Sequence, residues 1–244
     1  MTFKSRFAPS PSGLLHVGNA RSAVLNWANI KNKGGDFILR IDDTDSERSK
    51  KEYENQIKND LNWLGIHWDK TFNQSERFNL YQKNIDFLKR KKRLYPCFET
   101  TEELNLKRKS LLSAGKPPIY DRSSLRLTQE QIQNKINNGA KPHWRFKIEN
   151  KKIEWVDLIK GKVTFESDKL SDPILIREDS SLLYHLPSVI DDIEENITDI
   201  IRGEDHINNT AFHIQIFEAL NSTLPSFGHH PLLTDQYGKS FSKR

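Results

Sequence analysis

The sequence predicts an α/β fold in which a parallel sheet is interrupted by an inserted α+β module. Residues 3–7 form a short strand, and a Pro/Ser/Gly turn, a helix and a buried strand at 36–41 follow it. A strand, helix and strand connected over this distance form a right-handed parallel unit. A second strand-and-helix pair begins at 197–202. The two parts together predict a Rossmann-like nucleotide-binding domain.

Three helices are expected in the first part of the chain. The first covers 19–33, the second begins near Asp45, which would cap it, and the third follows Ser75. Apolar side chains three and four residues apart define the buried face of each helix. These positions are Ala20, Val24, Trp27 and Ala28, then Tyr53, Ile57, Leu61 and Leu64, then Phe78, Tyr81, Ile85 and Leu88.

The sequence changes in character after residue 94. Thr100 with Glu103, and Thr128 with Gln131, have the spacing of capping boxes that open two short helices. Alternation at 144–148 and short apolar segments after it indicate strands. We divide the chain into a first half of the sheet domain (1–94), the inserted module (95–182), the second half of the sheet domain (183–231) and a segment with a last strand at 232–234 and a lysine loop (232–244).

Composition excludes several classes of protein. The 244 residues are 35% hydrophobic, as expected for a globular chain, and the single cysteine, Cys97, excludes an internal disulfide and a cysteine-based zinc cluster. A reducing cytoplasm is therefore the expected location. No run of 18 apolar residues is present, so we expect no membrane span. The net charge of +5 suits a polyanionic partner, although solvated helix faces also explain lysine-rich runs.

Two loops contain residues that suit a triphosphate. His16 precedes Gly18 at the expected start of the first helix, where backbone N–H groups favour a phosphate. Lys239 and Lys243 flank Ser-Phe-Ser near the other end, and their ammonium groups can hold a departing pyrophosphate. Taken singly, each has a simpler explanation, an ordinary turn with an exposed histidine or a solvated basic tail. Together the two loops indicate adenylate transfer.

Charged side chains also follow the predicted strands, at the sheet edge where α/β folds bind ligands. Asp42, Asp43 and Asp45 come after the second strand and can bind a substrate ammonium or a divalent metal, or can be solvated. Arg6 and Arg202 lie at the ends of two other strands. They can hold a substrate carboxylate through bidentate contacts, or pair with these aspartates.

Two common kinds of site lack support. The histidines near the end of the chain, His206, His213, His229 and His230, have neither His-x3-His nor His-Glu-x-x-His spacing, and no cysteine accompanies them. A Ser-His-Asp hydrolase is not expected, because the sequence has no Gly-x-Ser-x-Gly elbow.

Four segments closely resemble the bacterial glutamyl-tRNA synthetases, which are class I aminoacyl-tRNA synthetases. They occur in the family's order and are RFAPSPSGLLHVG at 6–18, RIDDTD at 40–45, IRGEDH at 201–206 and SFSKR at 240–244. The tripeptide at 16–18 and Ser242-Lys243 are similar to the two class I signatures. The resemblance covers the whole chain.

The resemblance implies a two-step ligation. Glutamate attacks the α-phosphate of ATP, with Mg²⁺ on the phosphates, and the acyl group then passes to the 3′ end of tRNA(Glu). The inserted module would bind the acceptor stem. The implied catalytic residues are His16 and Lys243, assisted by Lys239. The implied ATP-binding residues are Ala8, His16, Gly18 and Lys243. The implied glutamate-binding residues are Arg6, Ser10, Asp42, Tyr184 and Arg202.

The sequence departs from the family at three points. Cys97 has no second cysteine, so the protein-bound zinc of some relatives is not expected. Asp42 stands where many relatives have the longer glutamate. The sequence ends at Arg244, where relatives continue into stem-contact and anticodon-binding regions, and we therefore expect a catalytic fragment.

Other functions stay open. A glutamyl-Q tRNA(Asp) synthetase also lacks an anticodon-binding domain, but typically carries a cysteine-rich zinc element. A non-catalytic tRNA-binding paralogue would have no use for the residues that grip phosphate and carboxylate. A glutaminyl enzyme would differ in the amino acid that it activates.

Overall fold

The computed structural model describes residues 2–236 and 238. Over these residues the strands are β1 (Lys4–Phe7), β2 (Asp36–Ile41), β3 (Lys70–Asn73), β4 (Leu94–Cys97), β5 (His143–Phe146), β6 (Lys152–Asp157), β7 (Gly161–Glu166), β8 (Ile174–Ile176), β9 (Asp199–Gly203) and β10 (Ser226–His230). The helices of more than one turn are α1 (Val17–Asn32), α2 (Lys51–Trp63), α3 (Phe78–Arg90), α4 (Thr101–Ser113), α5 (Gln129–Asn137), α6 (His185–Glu194) and α7 (Ile207–Ala219).

A five-stranded parallel sheet lies at the centre, in the order β10, β9, β1, β2, β3. The chain begins in the middle strand, moves outward to β3 on one side, and later returns to fill the other side. The loops that follow β1 and β9 therefore diverge at the carboxyl edge, where open α/β sheets bind ligands. The predicted α/β class is confirmed, although the polar strand β3 was not predicted.

Strand β2 shows why this sheet forms. Its residues from Phe37 to Ile41 are all buried, as expected of a strand covered by helices on both faces. Phe37, Leu39 and Ile41 pack into the cluster that includes residues of α1 and α2. Ile38 instead belongs to the larger cluster, with residues of α3, α6 and α7. Arg40 is the one charged residue in this buried run.

The buried face of α1 differs from the prediction. Its buried residues are Ala23, Asn26 and Ile30, whereas Val24 is 41% exposed. The difference comes from Asn26, which a hydrophobic pattern assigns to solvent. Its side-chain amide exchanges hydrogen bonds with the backbone of Ile201 and accepts one from Ser5 Oγ, so the helix turns this polar residue toward the sheet.

The predicted start of α2 was also wrong. The helix begins at Lys51, and Lys50 is its N-cap residue. Asp45 does not cap it, because its carboxylate accepts from the backbone N–H and from Nε of Arg48 in the preceding turn. Helix α3 buries its predicted residues except Phe78, which is 53% exposed.

The remaining strands form a three-stranded sheet in the order β4, β5, β8 and the hairpin of β6 and β7. Both capping boxes are confirmed, at Thr100 and at Thr128. The bounds proposed for the inserted module, 95–182, stay a prediction. In the part of the chain that the structure describes, no helix is long and apolar enough to cross a membrane.

The strand predicted at 232–234 was wrong. In the part of the chain that the structure describes, the last strand is β10, which ends at His230. Residues 231–233 belong to no strand, and Thr234 forms only a single-residue bridge. Pro231 explains this end, because proline has no N–H group to continue a sheet ladder. Residues after it nevertheless contribute to the cavity described next.

Candidate active site

A cavity of about 250 Å³ opens at the carboxyl edge of the sheet, between the ends of β1 and β9 and the start of α1. Seven of the residues predicted for the site line it, namely Arg6, Ala8, His16, Gly18, Asp42, Tyr184 and Arg202. Ser10, predicted to bind glutamate, is exposed and does not line this cavity. The predicted catalytic residues Lys239 and Lys243 lie outside the described residues.

The first turn of α1 forms one wall of the cavity. His16 is its N-cap residue, and the imidazole Nδ1 accepts a hydrogen bond from the backbone N–H of Gly18 at 3.1 Å. A Cβ atom at position 18 would lie 2.9 Å from Cε1 of the His16 ring, so glycine permits this close approach. The first turn contains no acidic residue. This helix end therefore suits an anionic group.

A chain of alternating charges forms the opposite wall. Arg6 donates from Nε and Nη2 to the two carboxylate oxygens of Asp192, at 3.0 and 3.3 Å. Arg40 donates to Asp192 at 2.9 Å, and its Nε and Nη2 donate to Asp42 at 2.6 and 3.1 Å. Each guanidinium in this wall thus contacts at least one carboxylate.

Burial and charge act against each other in this wall. Burial lowers the pKa of Arg40, but the carboxylates of Asp42, Asp192 and Asp191 outweigh it and leave the pKa well above its ordinary value. Burial raises the pKa of Asp42, and the attraction of Arg40 offsets only part of that rise. Asp42 is therefore oriented by Arg40 rather than by solvent.

Arg202 has a different environment. It is 6% exposed, and it donates to the hydroxyl of Tyr184 at 2.9 Å, to Thr210 Oγ1 at 2.6 Å and to Nε2 of His229 at 3.4 Å. All three partners are neutral groups. Across residues 2–236 and 238, no carboxylate oxygen lies within 4.0 Å of its nitrogens. Burial lowers the pKa of Arg202.

The positive charge of Arg202 affects the pKa of the histidines around it. Burial, followed by repulsion from Arg202, lowers the pKa of His206 to about 4 and that of His185 to about 4. The ring of Tyr184 lies against both histidines, with centroids 5.7 and 5.3 Å away. This end of the cavity therefore holds a positive charge that neutral rings surround. The carboxylate of Asp192 attracts it only from beyond 4.0 Å.

Several residues that shape the cavity were not predicted from the sequence. Arg40 and Asp192 connect the two sides of the charged wall, and Thr210 and His229 hold Arg202. Arg40 had a usable signal, because a charged residue inside a buried strand needs a partner. Pairing with an aspartate after β2 was one of two alternatives for Arg6, and the structure instead pairs it with Asp192 on α6.

The acidic cluster after β2 contributes only one residue to the cavity. Asp43 instead accepts hydrogen bonds from Ser75 and Asn73. Asp45 pairs with Arg48, which is largely exposed. The side chains of these two aspartates stabilise turns, and neither lines the cavity.

A second group of potential metal ligands lies beside β4. Ligand atoms of Cys97, Glu99 and His143 all lie within 4.8 Å of one another. The Glu99 carboxylate, however, already accepts hydrogen bonds from Tyr120, Ser123 and Ser124. Burial raises the pKa of the Cys97 thiol to about 11, which opposes the thiolate that a metal requires. These residues fit a hydrogen-bonded cluster better than a zinc site.

Comparison with known proteins defines the class of this chain. Residues 2–244 match the family described as tRNA synthetases class I (E and Q), catalytic domain, and the chain belongs to that family. Its relatives include glutamate–tRNA ligase 1 of Rickettsia massiliae, 57% identical over 240 residues, which are 98% of this chain and 54% of the relative. Glutamate–tRNA ligase 1 of Maricaulis maris is 54% identical over 241 residues, 99% of this chain and 54% of the relative.

Solved structures agree with this assignment. A glutamate tRNA ligase from Elizabethkingia meningosepticum in complex with its amino acid has a TM-score of 0.90 and 32% identity, covering 96% of this chain and 50% of that one. Glutamate-tRNA synthetase from Elizabethkingia anophelis has a TM-score of 0.93 and 32% identity, covering 99% and 52%. The predicted family and Rossmann-like fold are confirmed. The chain spans about half the length of the curated relatives that it matches.

Proposed function

We propose that this chain is the catalytic part of a glutamate–tRNA ligase, an enzyme that activates L-glutamate with ATP and transfers it to tRNA(Glu). One observation carries the proposal. Arg202 is a buried cation whose three partners are neutral, next to Arg6 in a cavity at the ligand-binding edge of the sheet. A ligand carboxylate supplies the missing negative charge.

The side-chain carboxylate of glutamate is the natural partner for this position. Asp192 engages Nε and Nη2 of Arg6 and does not use Nη1, so Arg6 retains a donor for the same ligand. Asp42, oriented by Arg40, receives the substrate ammonium. The hydroxyl of Tyr184 orients Arg202. With both ends held, the α-carboxylate of glutamate is directed at the nucleotide.

ATP enters as its Mg²⁺ complex, with phosphate oxygens at the start of α1. His16 and the N–H groups of that first helical turn stabilise the charge that develops as an α-carboxylate oxygen bonds to the α-phosphorus and pyrophosphate departs. Ala8 and Gly18 permit close approach of the nucleotide. The lysines at 239 and 243 keep their predicted role on pyrophosphate. No protein nucleophile is required, so positioning supplies most of the acceleration.

Transfer to tRNA is the second proposed step. The residues of the predicted module, 95–182, would bind the acceptor stem and present the terminal ribose to the adenylate. The chain's net charge of +5 is compatible with this partner. The cytoplasm is the expected location, because ATP and tRNA are available there.

Discrimination against glutamine follows from the same charge. A neutral amide would leave Arg202 buried and unpaired, so glutamine is expected to be activated at least about a hundredfold less efficiently. Amino-acid-dependent ATP–pyrophosphate exchange tests this, run with glutamate and with glutamine, in the presence and absence of tRNA(Glu). Exchange with glutamate alone supports the proposal. Exchange with glutamine would instead indicate a glutaminyl enzyme.

Two further alternatives are separated by RNA. Transfer of glutamate to tRNA(Asp) but not to tRNA(Glu) would indicate a glutamyl-Q tRNA(Asp) synthetase. Binding of tRNA without exchange under any condition would favour the non-catalytic paralogue.

The role of Arg202 is tested with the variant Arg202→Ala in the same exchange assay. Arg48→Ala is its matched control, because Arg48 is largely exposed and outside the cavity.

A further inference from the structure

A buried carboxylate lies behind Arg202 and does not contact it. Asp157 ends β6 and is 2% exposed. Its Oδ1 accepts backbone N–H groups of Ile159, Lys160 and His229 at 3.0 to 3.1 Å. Its Oδ2 lies 2.5 Å from Nδ1 of His229. The carboxylate is thus fully engaged at the turn between β6 and β7, and its strongest side-chain contact is with one imidazole.

The contacts of His229 define its protonation. Burial raises the pKa of Asp157, but the hydrogen bonds to it, that of His229 foremost, outweigh burial and lower the pKa to about 2. Burial, as the largest cause, lowers the pKa of His229. A neutral imidazole beside a carboxylate keeps its proton on the nitrogen that faces that carboxylate, here Nδ1. Nε2 is then an acceptor.

That acceptor faces the arginine of the cavity. His229 on β10 is in register with Arg202 on β9. Nε2 of His229 lies 2.8 Å from Thr210 Oγ1 and 3.4 Å from Nε of Arg202. Thr210 Oγ1 in turn accepts a hydrogen bond from Nη2 of Arg202 at 2.6 Å. The opposite tautomer or an imidazolium would direct an N–H group at the guanidinium and remove Nε2 of His229 as an acceptor.

We propose that Asp157 and His229 are positioning residues for Arg202: Asp157 fixes the tautomer of His229, and His229 with Thr210 holds the guanidinium at the angle that receives the glutamate carboxylate. This rests on the proposed function, in which Arg202 binds that carboxylate. The pair orients Arg202 through a neutral ring, so the positive charge is kept for the ligand. The turn that carries Asp157 is anchored to β10 by the hydrogen bond from Leu158 N–H to the carbonyl of Phe227.

The proposal assigns an amino-acid-binding task to the β6–β7 hairpin. Asp157 falls within the segment predicted to contact RNA, 95–182, whereas Arg202 lies in the sheet domain. The hairpin therefore contributes to amino-acid recognition without touching the amino acid.

Two variants of the same strand test this. Asp157→Asn loses the charge that fixes the ring and places an amide where three backbone N–H groups point, and Glu154→Gln is its control, since Glu154 is on the same strand and pairs with Lys152 and Lys162. In ATP–pyrophosphate exchange, Asp157→Asn is expected to raise the KM for glutamate about tenfold or more while the KM for ATP changes less than about twofold. Glu154→Gln is expected to leave both unchanged.

Two replacements of His229 differ in whether they keep a hydrogen-bond acceptor for Arg202. His229→Gln retains an amide oxygen that can accept from Arg202, whereas His229→Leu has no acceptor. The KM for glutamate should therefore rise less in the glutamine variant than in the leucine variant. Equal effects in both, or an increase in the KM for ATP that matches the increase for glutamate, would mean that the ring only fills space, and would overturn the proposal.

The outcomes separate this inference from the function on which it rests. If Arg202→Ala loses glutamate activation and Asp157→Asn keeps the normal KM for glutamate, the positioning role is wrong and the proposed function survives. If Arg202→Ala itself keeps the normal KM for glutamate, the carboxylate assignment fails first.

A measurement on the unaltered protein covers the case in which a variant does not fold. Long-range ¹H–¹⁵N correlation spectra distinguish the two neutral tautomers of histidine and the imidazolium, and loss of one set of signals in His229→Gln or His229→Leu assigns them. We expect His229 to be neutral and protonated at Nδ1 near pH 7. A ring protonated at Nε2, alone or together with Nδ1, would overturn the proposal.

Discussion

The two arginines of the cavity show how neighbouring cations in one pocket can have different protein partners. Arg6 is paired with Asp192, which also pairs with Arg40, so its side of the cavity is balanced by charge. Arg202 lies on three neutral groups and has no carboxylate within 4.0 Å in the described part of the chain. A guanidinium that is already paired inside the protein maintains the fold and keeps only one donor for a ligand, whereas one held by neutral acceptors keeps its charge available for an anionic ligand.

On the Arg6 side of the cavity, the stability of the fold should be sensitive to loss of the Asp192 carboxylate. Asp192→Asn leaves two buried guanidinium groups short of a carboxylate, and we expect a loss of about 3–5 kcal/mol in the free energy of unfolding. Urea denaturation measures it. Asp168→Asn, at an exposed aspartate, is the control and should change stability by less than about 0.5 kcal/mol. A loss below about 1 kcal/mol in Asp192→Asn would mean that solvent reaches this wall.

Removal of each arginine should affect stability differently. Arg6→Met leaves Asp192 with one guanidinium fewer and is expected to cost about 2 kcal/mol or more. Arg202→Met removes a buried cation that has no carboxylate within 4.0 Å among the described residues, and is expected to be neutral or stabilising. The same denaturation measurement compares the two variants. Similar losses in both would contradict the contrast drawn between the two sides.

Ligand binding should take up protons at the Arg202 side. The pKa of His206 is held at about 4 by burial and then by Arg202, so the unliganded ring is neutral above that pH. A carboxylate bound to Arg202 reduces the repulsion and raises the pKa of His206, so binding near pH 5 draws a fraction of a proton from solution. Calorimetry of glutamate binding in two buffers with different ionisation enthalpies measures the uptake.

The proton linkage has its own control. The His206→Asn variant should show no such uptake, because the ring that is expected to take up the proton is then absent. Uptake of equal size in the variant would mean that another group titrates.

A local interaction outside the cavity gives a scale for these effects. Thr100→Ala removes the cap of α4, in which Thr100 Oγ1 accepts the N–H of Glu103 at 3.2 Å, and should cost about 1 kcal/mol. Helix α4 has no buried residue, so the glutamate KM should not change. Thermal unfolding and the exchange assay measure the two quantities, and a changed KM would show that this helix reaches the cavity after all.

The sequence predicted which strand ends lie close together better than it predicted the contacts of their side chains. Arg6, Asp42 and Arg202 follow strands of one parallel sheet, so their meeting at one edge follows from topology alone. The partnership of Arg6 with Asp192 was not predictable, because it joins residues 186 positions apart on elements whose packing no local pattern encodes. Strand β3 was missed for a related reason, since its four residues are mostly polar and only the neighbouring strand makes them extended.

The central position of β1 has a consequence for synthesis of the chain. This strand comes first, yet its second neighbour is β9, with Ser5 in register with Asp199. At a translation rate of about 5–20 residues per second, the N-terminal strand waits roughly 10–40 s before that neighbour exists. Arg6 and Arg202 belong to these two strands, so a nascent chain has no pocket until its growth has passed β9. A ligand bound between these two arginines therefore cannot assist the earlier folding steps on the ribosome.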